Sequence, residues 1–128
     1  MHEKEIEIRW RDLDAYGHVN NAVYLTYLEE ARDEWLTDAL ASDGDAWDYV
    51  LARVAVDFRR ELRQEDDRVI ARCALASLGT SSLRTREELL TIAGELAAEA
   101  EAVLVARDRA TGRGRPLSER ERTALERA

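Results

Sequence analysis

Cysteine and proline are almost absent from this sequence, which contains one of each, Cys73 and Pro116. A single cysteine cannot form a disulfide within the chain, and it cannot supply the several thiolates of a structural Cys-based zinc site. No apolar run approaches the roughly 20 residues that a membrane-spanning helix needs. The N-terminal sequence MHEK does not open a signal peptide. We therefore expect a cytoplasmic protein with no membrane partner.

Lysine is also scarce, because Lys4 is the only one among 19 basic residues, and 27 acidic residues give a net charge of −8. An excess of negative charge disfavours nucleic acid or an anionic membrane surface as the main partner. The length of 128 residues is that of a single domain, residues 1–128, with a core of its own. The Glu-rich and Arg-rich stretches are predicted to be solvated surface.

The spacing of apolar residues predicts an α+β fold. The pattern indicates a strand over residues 5–11, a long helix over 22–40, strands around 50–59, 68–78, 82–92 and 95–106, and a short helix over about 118–127. The segment 95–106 is ambiguous, since its Ala and Glu content favours helix. Its alternation of glutamates with apolar residues, and the three strands before it, lead us to predict a strand.

The same patterns predict which side chains are buried and how the last helix begins. Ile6, Ile8 and Trp10 are predicted to share the buried face of the first strand. The second strand is predicted to place Val50, Ala52, Val54, Val56 and Phe58 on one face. Ser118 and Glu121 fit the capping box that begins a helix. Tyr24, Tyr27 and Trp35 have helical spacing and are predicted core residues or pocket walls, and Cys73 is predicted to be a small buried residue.

The chemistry-bearing residues are concentrated between the first strand and the long helix. The stretch RWRDLDAYGHVNN contains Asp12, Asp14, Gly17 and His18, followed by two asparagines that could cap the helix. Backbone N–H groups in the first turn of a helix lack intrahelical partners and carry partial positive charge. Such groups can polarise a carbonyl, and a carboxylate beside them can act as general base or nucleophile.

This stretch resembles hotdog-fold acyl-CoA thioesterases of the 4-hydroxybenzoyl-CoA thioesterase type. The similarity covers the pattern D-x-D-x-x-G-H-V-N-N-A-x-Y-L-x-Y-L-E-E-A-R and continues through VAVDFRREL, LGTSSL and GELAAE, over residues 5 to about 108. One departure is Glu61, which stands where the family often has proline. The resemblance implies a mostly antiparallel five-stranded sheet wrapped around one long central helix.

The resemblance also implies a reaction, the hydrolysis of an acyl-CoA to a free carboxylic acid and CoA without a metal or redox cofactor. Asp14 matches the catalytic carboxylate, which acts as nucleophile or general base. The backbone N–H of Asn21 matches the donor to the thioester carbonyl. Glu29 matches an acidic position that lines the site, and a contact at a subunit interface is the alternative for it.

Further residues are implied to bind the substrate, at a site formed between subunits of a homodimer or homotetramer. They are Gly17, His18, Asn20, Tyr24, Arg59, Arg60, Ser81, Ser82 and Arg84, the arginines being candidates for the CoA phosphates.

Other roles remain open for several of these residues. Asp14 could instead cap the loop, and Asp12 could be the working base or an anchor of the loop. For His18 we favour a structural hydrogen-bonding role, since a helix N-terminus disfavours imidazolium. Asn20 and Asn21 are better caps than side-chain catalysts. No G-x-S-x-G pattern surrounds the serines, which argues against a serine hydrolase.

Three rival functions remain. The acyl group could arrive on an acyl carrier protein, for which Arg59, Arg60 and Arg63 could form a basic rim. A hotdog dehydratase would need a catalytic histidine paired with a carboxylate, and His18 is the only internal histidine. A silent hotdog protein would bind acyl thioesters without turnover, because a fold does not guarantee activity.

Overall fold

The computed structural model describes residues 1–128. The elements in chain order are β1 (His2–Glu7), α1 (Asn21–Leu40), β2 (Tyr49–Phe58), β3 (Arg68–Leu78), β4 (Ser82–Thr91), β5 (Leu96–Ala106) and α2 (Glu119–Arg127), with 3₁₀ turns at Trp10–Asp12, Ala46–Asp48 and Gln64–Asp66. The strands form one antiparallel sheet in the order β1-β3-β4-β5-β2. The long helix α1 packs on one face of this sheet, which confirms the predicted α+β hotdog architecture, including the strand at residues 95–106.

Helix α1 begins where a cap is available and is buried along one face. The side chain of Asn20 accepts a hydrogen bond from the Ala22 N–H at 2.9 Å, which identifies Asn20 as the N-cap. Tyr24, Tyr27 and Trp35 are buried as predicted, together with four further apolar residues of the helix, Leu28, Ala31, Leu36 and Leu40. Each fully buried leucine of this face contributes roughly 1.5–3 kcal/mol. Cys73 is also fully buried, as predicted.

The prediction for the first strand was wrong at its C-terminal end. Ile6 and Ile8 are buried, but β1 ends at Glu7 and the side chain of Trp10 is 83% exposed. The chain turns away because the Arg9 N–H donates to the Asp12 carboxylate at 3.0 Å, which closes a 3₁₀ turn. Alternation of apolar residues continued in the sequence after the strand had ended.

The prediction for the second strand was wrong at its N-terminal end. A β-bulge between Leu51 and Arg53 inserts one extra residue into β2. As a result Leu51, and not Val50, lies on the same sheet face as Val54. Strand β2 is an edge of the sheet, and α1 leaves much of its inner face uncovered.

The expectation that the charged stretches are surface was wrong for an ion pair in the core. Arg32 of α1 donates two hydrogen bonds to Glu87 of β4, at 2.8 and 2.9 Å, and the two residues are only 3% and 1% exposed. The Thr85 hydroxyl donates a third hydrogen bond to Glu87, at 2.6 Å. Burial of this charge pair requires such satisfied geometry, because each ion loses its hydration.

Helix α2 is attached to the sheet by another buried carboxylate. The predicted capping box is present, with the Ser118 N–H donating to Glu121 at 2.8 Å and the Glu121 N–H donating to the Ser118 hydroxyl at 3.1 Å. Glu121 is buried, and it also accepts the Tyr49 hydroxyl at 2.5 Å and two N–H groups of Arg115 at 2.8 and 3.0 Å. These bonds join α2, β2 and the loop before α2.

Glu121 makes the stability of the fold sensitive to acid. Burial opposes its charge, but hydrogen bonds from Arg115 and Tyr49 outweigh this effect and lower the pKa of the carboxyl to about 2, from an ordinary 4.5. A carboxyl with a lowered pKa in the folded state contributes stability above its unfolded pKa, and that stability is lost as the pH falls toward the folded pKa. We expect Glu121→Gln to lower the free energy of unfolding at neutral pH by on the order of 3 kcal/mol.

Urea unfolding at neutral pH and at about pH 3 measures this difference, which should shrink at the lower pH. Glu126→Gln, at an exposed glutamate of α2 without an ion pair, is the control and should show no such dependence. An equal destabilisation by Glu121→Gln at both pH values would contradict the assignment.

Candidate active site

The loop that leads into α1 is closed on itself by backbone hydrogen bonds. Leu13 and Val19 pair across it, and the Asp14 N–H donates to the His18 carbonyl at 2.8 Å. The Val19 N–H donates to the Leu62 carbonyl at 2.7 Å, which attaches the loop to the segment after β2. Residues 14–18 therefore form a tight loop, the Asp14 loop, whose two ends are hydrogen-bonded to each other and to the segment after β2.

Asp14 is the first residue of this loop, and one of its carboxylate oxygens has no hydrogen-bond partner. Its Oδ1 accepts the Tyr16 N–H at 2.9 Å and the His18 N–H at 3.4 Å, while Oδ2 has no hydrogen-bond partner within the chain. Gly17 lies between these two donors with a φ of +79°, in the left-handed region that favours glycine. The carboxylate is half-buried, so its free oxygen can contact a substrate or a water.

A depression of about 300 Å³ lies beside this carboxylate, at the N-terminus of α1. Six of the predicted site residues are among those that line it, and the full set is Asp14, His18, Val19, Asn21, Tyr24, Phe58, Arg59, Arg60 and Glu61. The Asn21 N–H has no acceptor within the chain, as expected for the first residue of a helix. Asp14 and Asn21, whose backbone N–H is unpaired and partially positive, thus line one cavity.

The remaining walls of the depression are fixed by side-chain contacts. The Tyr24 hydroxyl donates to the Arg60 carbonyl at 2.8 Å, and its ring meets Phe58 edge-on at a centroid distance of 5.2 Å. His18 Nε2 lies 3.2 Å from a carboxylate oxygen of Glu61, and the structural role expected for this histidine stays a prediction. Glu61 and Phe58 were not predicted to be site residues, although the departure from proline at Glu61 singled that position out.

The sequence of residues 8–125 matches the family model of the thioesterase-like superfamily. The chain belongs to this superfamily. Long-chain acyl-CoA thioesterase FadM of Escherichia coli (strain K12) is 30% identical over 130 residues, which cover 97% of this chain and 96% of FadM. The predicted resemblance to hotdog-fold thioesterases and the predicted thioester hydrolase activity are confirmed.

Two further relatives bear on the carrier of the acyl group. A crystal structure of a thioesterase from Thermus thermophilus, complexed with coenzyme A and Zn, has a TM-score of 0.88 and 35% identity, and the match covers 98% of this chain and 92% of that protein. Acyl-acyl carrier protein thioesterase ATL3, a chloroplastic protein of Arabidopsis thaliana, is 36% identical over 91 residues, or 66% of this chain. The chain spans 45% of the length of that plant protein.

The three arginines predicted to hold CoA phosphates all have carboxylate partners in this thioesterase. Arg59 lies 3.2 Å from Glu99, and Arg60 lies 2.8 Å from Glu95. Arg84 of β4 pairs with the carboxylate of Glu101. An incoming phosphate would compete with these carboxylates, and the assignment of phosphate-binding arginines stays a prediction.

Six predicted residues are not among those that line the Asp14 depression in the single chain, namely Gly17, Asn20, Glu29, Ser81, Ser82 and Arg84. Glu29 is eight residues beyond Asn21 on α1, about 12 Å along the helix axis, and lines a separate depression of about 360 Å³ that Arg32 and Leu51 also line. Ser81, Ser82 and Arg84 lie at the start of β4. Because the resemblance implies a site between subunits, their roles also stay predictions, as does that of Asn20 beyond its observed role as N-cap.

One group of side chains has the composition of a metal site, although no metal was predicted. His2, Glu34 and Asp38 have ligand-type atoms within 4.8 Å of one another. Glu34 already has cationic or hydrogen-bonding neighbours, with the Lys4 ammonium at 2.7 Å and His2 Nε2 at 3.0 Å. Glu34 is about 20 Å along α1 from Asn21, so these residues are remote from Asp14.

Neither helix has the length and apolar character needed to cross a membrane.

The backbone conformation of Gly17 should be required for turnover. Replacing Gly17 with alanine introduces a Cβ at φ +79°, and we expect a loss of stability of about 1–2 kcal/mol together with a lower kcat. Gly112→Ala is the matched control, because Gly112 has a φ of +72° and equally open surroundings but lies in the loop after β5. Thermal unfolding and thioester hydrolysis measure the two effects, and equal kcat values for the two variants would contradict a role for the Asp14 loop.

Proposed function

We propose that this chain hydrolyses acyl-CoA thioesters to the free carboxylic acid and CoA, without a metal or redox cofactor. The observation that carries the proposal is the cavity lined by both Asp14 and Asn21, whose backbone N–H has no acceptor within the chain. The similarity to FadM over nearly the whole chain, and the CoA-bound thioesterase from Thermus thermophilus, support CoA as the carrier of the acyl group.

In the proposed reaction the thioester carbonyl oxygen accepts a hydrogen bond from the Asn21 N–H. The partial positive charge at the N-terminus of α1 favours the negative charge that develops on this oxygen. Asp14 as general base takes a proton from water, whose oxygen attacks the carbonyl carbon. Collapse of the tetrahedral intermediate breaks the C–S bond, and the proton on Asp14 passes to the departing thiolate.

Asp14 as nucleophile is the second route through the same geometry. Its free oxygen Oδ2 attacks the carbonyl carbon, and loss of the CoA thiolate leaves a mixed anhydride on Asp14. Water then cleaves the anhydride and regenerates the carboxylate. Both routes require the same carboxylate and the same amide.

An acyl carrier protein as the carrier is the second candidate. The observation that favours it is the 36% identity to the plant acyl-acyl carrier protein thioesterase over 66% of this chain. The chemistry at the thioester would be unchanged, and only the surface that receives the carrier would differ. Parallel assays with the same acyl group on CoA and on a carrier protein separate the two.

We also propose that the working form is a homodimer formed through the edge strand β2. The inner face of β2 exposes Leu51 and Phe58, and an unpaired strand edge is a template for pairing with another strand. Phe58 lines the Asp14 depression, so a second copy paired along β2 would also cover that depression. This arrangement supports the predicted site between subunits.

Asp14→Asn should nearly abolish hydrolysis, by about 10²- to 10⁴-fold in kcat, because the amide can neither take a proton nor attack. Thiol release from short-chain, long-chain and aromatic acyl-CoAs measures this loss. Asp108→Asn is the matched control, since Asp108 likewise accepts backbone N–H groups of its own loop, at 2.7 and 3.3 Å, but lies outside the cavity. It should retain wild-type kcat.

Retention of most of the kcat by folded Asp14→Asn protein would disprove the assignment of this residue. Tight acyl-CoA binding by the wild type without thiol release would identify a silent binding protein. Release only from the carrier-protein substrate would establish the second candidate.

Leu51→Glu should convert the dimer into a monomer with little activity, because it places a charge on the apolar face that the second copy would cover. Ile92→Glu is the control, since Ile92 is 51% exposed against 44% for Leu51 but follows β4 rather than lying on β2. Sedimentation velocity measures the oligomeric state. A wild-type monomer with full activity would refute a dimeric site.

A further inference from the structure

Asp12 is a buried carboxylate two residues before Asp14, and both of its hydrogen bonds are made inside the protein. Its Oδ2 accepts the Arg9 N–H at 3.0 Å and the Tyr27 hydroxyl at 2.6 Å. Tyr27 lies almost two turns into α1 and is itself buried. Through this carboxylate, the 3₁₀ turn at Trp10–Asp12 is attached to the body of the helix.

The backbone of Asp12 makes a second connection, to the start of α1. Its carbonyl oxygen accepts the Asn20 N–H at 2.9 Å, and Asn20 is the residue immediately before Asn21. Asp12 is therefore bonded to the helix at its N-cap and at Tyr27. Asp14 follows Asp12 by two residues, and Asn21 follows Asn20 directly. The contacts of Asp12 therefore lie next to both groups of the proposed reaction.

We infer that Asp12 and Tyr27 are positioning residues that fix the Asp14 carboxylate relative to the Asn21 N–H. This inference rests on the proposed function. In the proposed reaction the carboxylate activates or supplies the attacking oxygen, while the amide donates to the carbonyl oxygen of the same thioester. The two groups must therefore be held at a fixed distance from each other. Misplacement of reacting groups by about 1 Å can cost on the order of 100-fold in rate.

The contacts of Asp12 distinguish this role from that of a catalytic base. Its Oδ2 already accepts two hydrogen bonds, and Asp12 is not among the residues that line the Asp14 depression. Burial, together with the hydrogen bond to Asp12, raises the pKa of Tyr27, so its hydroxyl remains a donor at neutral and alkaline pH. Asp14 has different surroundings, because it lines the depression and its Oδ2 has no hydrogen-bond partner within the chain.

Asparagine at position 12 can preserve this connection. The amide oxygen of Asp12→Asn can accept from the Arg9 N–H and the Tyr27 hydroxyl, and its NH₂ group replaces Oδ1, which has no partner within the chain. A positioning role therefore tolerates Asp12→Asn, whereas a base does not.

The test compares steady-state kinetics of acyl-CoA hydrolysis for Asp12→Asn, Asp12→Ala, Tyr27→Phe and the double variant Asp12→Ala/Tyr27→Phe. We expect Asp12→Asn to keep at least about a third of the wild-type kcat, and Asp12→Ala to lose about 10- to 100-fold in kcat with a KM within about threefold of wild type. Tyr27→Phe should also lower kcat. The double variant should lose no more than Asp12→Ala alone, because the two groups act through one hydrogen bond.

Glu121→Ala is the matched control for a purely structural loss. It removes another buried carboxylate that accepts a tyrosine hydroxyl, at 2.5 Å from Tyr49, far from the cavity. All variants are assayed below their melting temperatures, which thermal unfolding measures. Glu121→Ala should melt earlier than the wild type but keep its kcat in the folded state.

Each other outcome overturns a specific statement. A wild type without hydrolysis on any acyl thioester defeats the proposed function itself. An active wild type with wild-type kcat in folded Asp12→Ala and Tyr27→Phe defeats the positioning role alone. Loss of activity in Asp12→Asn as severe as in Asp14→Asn would identify Asp12 as the base.

Discussion

The first turn of α1 must remain open while the rest of the helix is buried, and the candidate site depends on this constraint. The sheet covers the helix from Tyr24 onward, whereas Asn20, Asn21 and Ala22 are exposed. An exposed helix N-terminus has unpaired N–H groups and a partial positive charge. Because burial on the sheet fixes the direction of α1, it also fixes where this charge points. Hydrogen bonds to residues of the core hold the Asp14 loop beside this exposed N-terminus of α1.

Local rules were sufficient where one segment determined its own structure. The N-terminus of α1 and the capping box at Ser118 both follow from side chains bonded to backbone within four residues. The grouping of Asp14 and Asn21 was predictable for the same reason, since a short loop connects the two. The roles predicted for Asp14 and Asn21 come from the resemblance to known thioesterases, and neither spacing nor composition assigns them.

Features that depend on residues distant in the sequence, or on a single hydrogen bond or bulge that ends a regular pattern, could not be predicted. The turn that exposes Trp10 results from the carboxylate of Asp12, and apolar alternation carries no information about it. The bulge in β2 changes which side chains face inward after a single unpaired residue. Arg32 and Glu87 are separated by 55 positions, so nothing in either segment identifies its buried partner. Glu29 lines a separate depression in the single chain, and its place in a site between subunits stays a prediction.

The same chemistry, a buried carboxylate that accepts a tyrosine hydroxyl, occurs at two places in the fold. Asp12 and Tyr27 are joined near the N-terminus of α1, while Glu121 and Tyr49 join α2 to the sheet at the other end of the molecule. Glu121 is further neutralised by Arg115, so its bonds form a closed ionic cluster that serves the stability of the fold. Asp12 has no such guanidinium partner, and its remaining bond, from the Asn20 N–H to its carbonyl, leads toward the open helix terminus. The Glu121–Tyr49 pair therefore stabilises the fold as part of an ionic cluster. The Asp12–Tyr27 pair, which lies next to the unpaired Asn21 amide, positions the reacting groups.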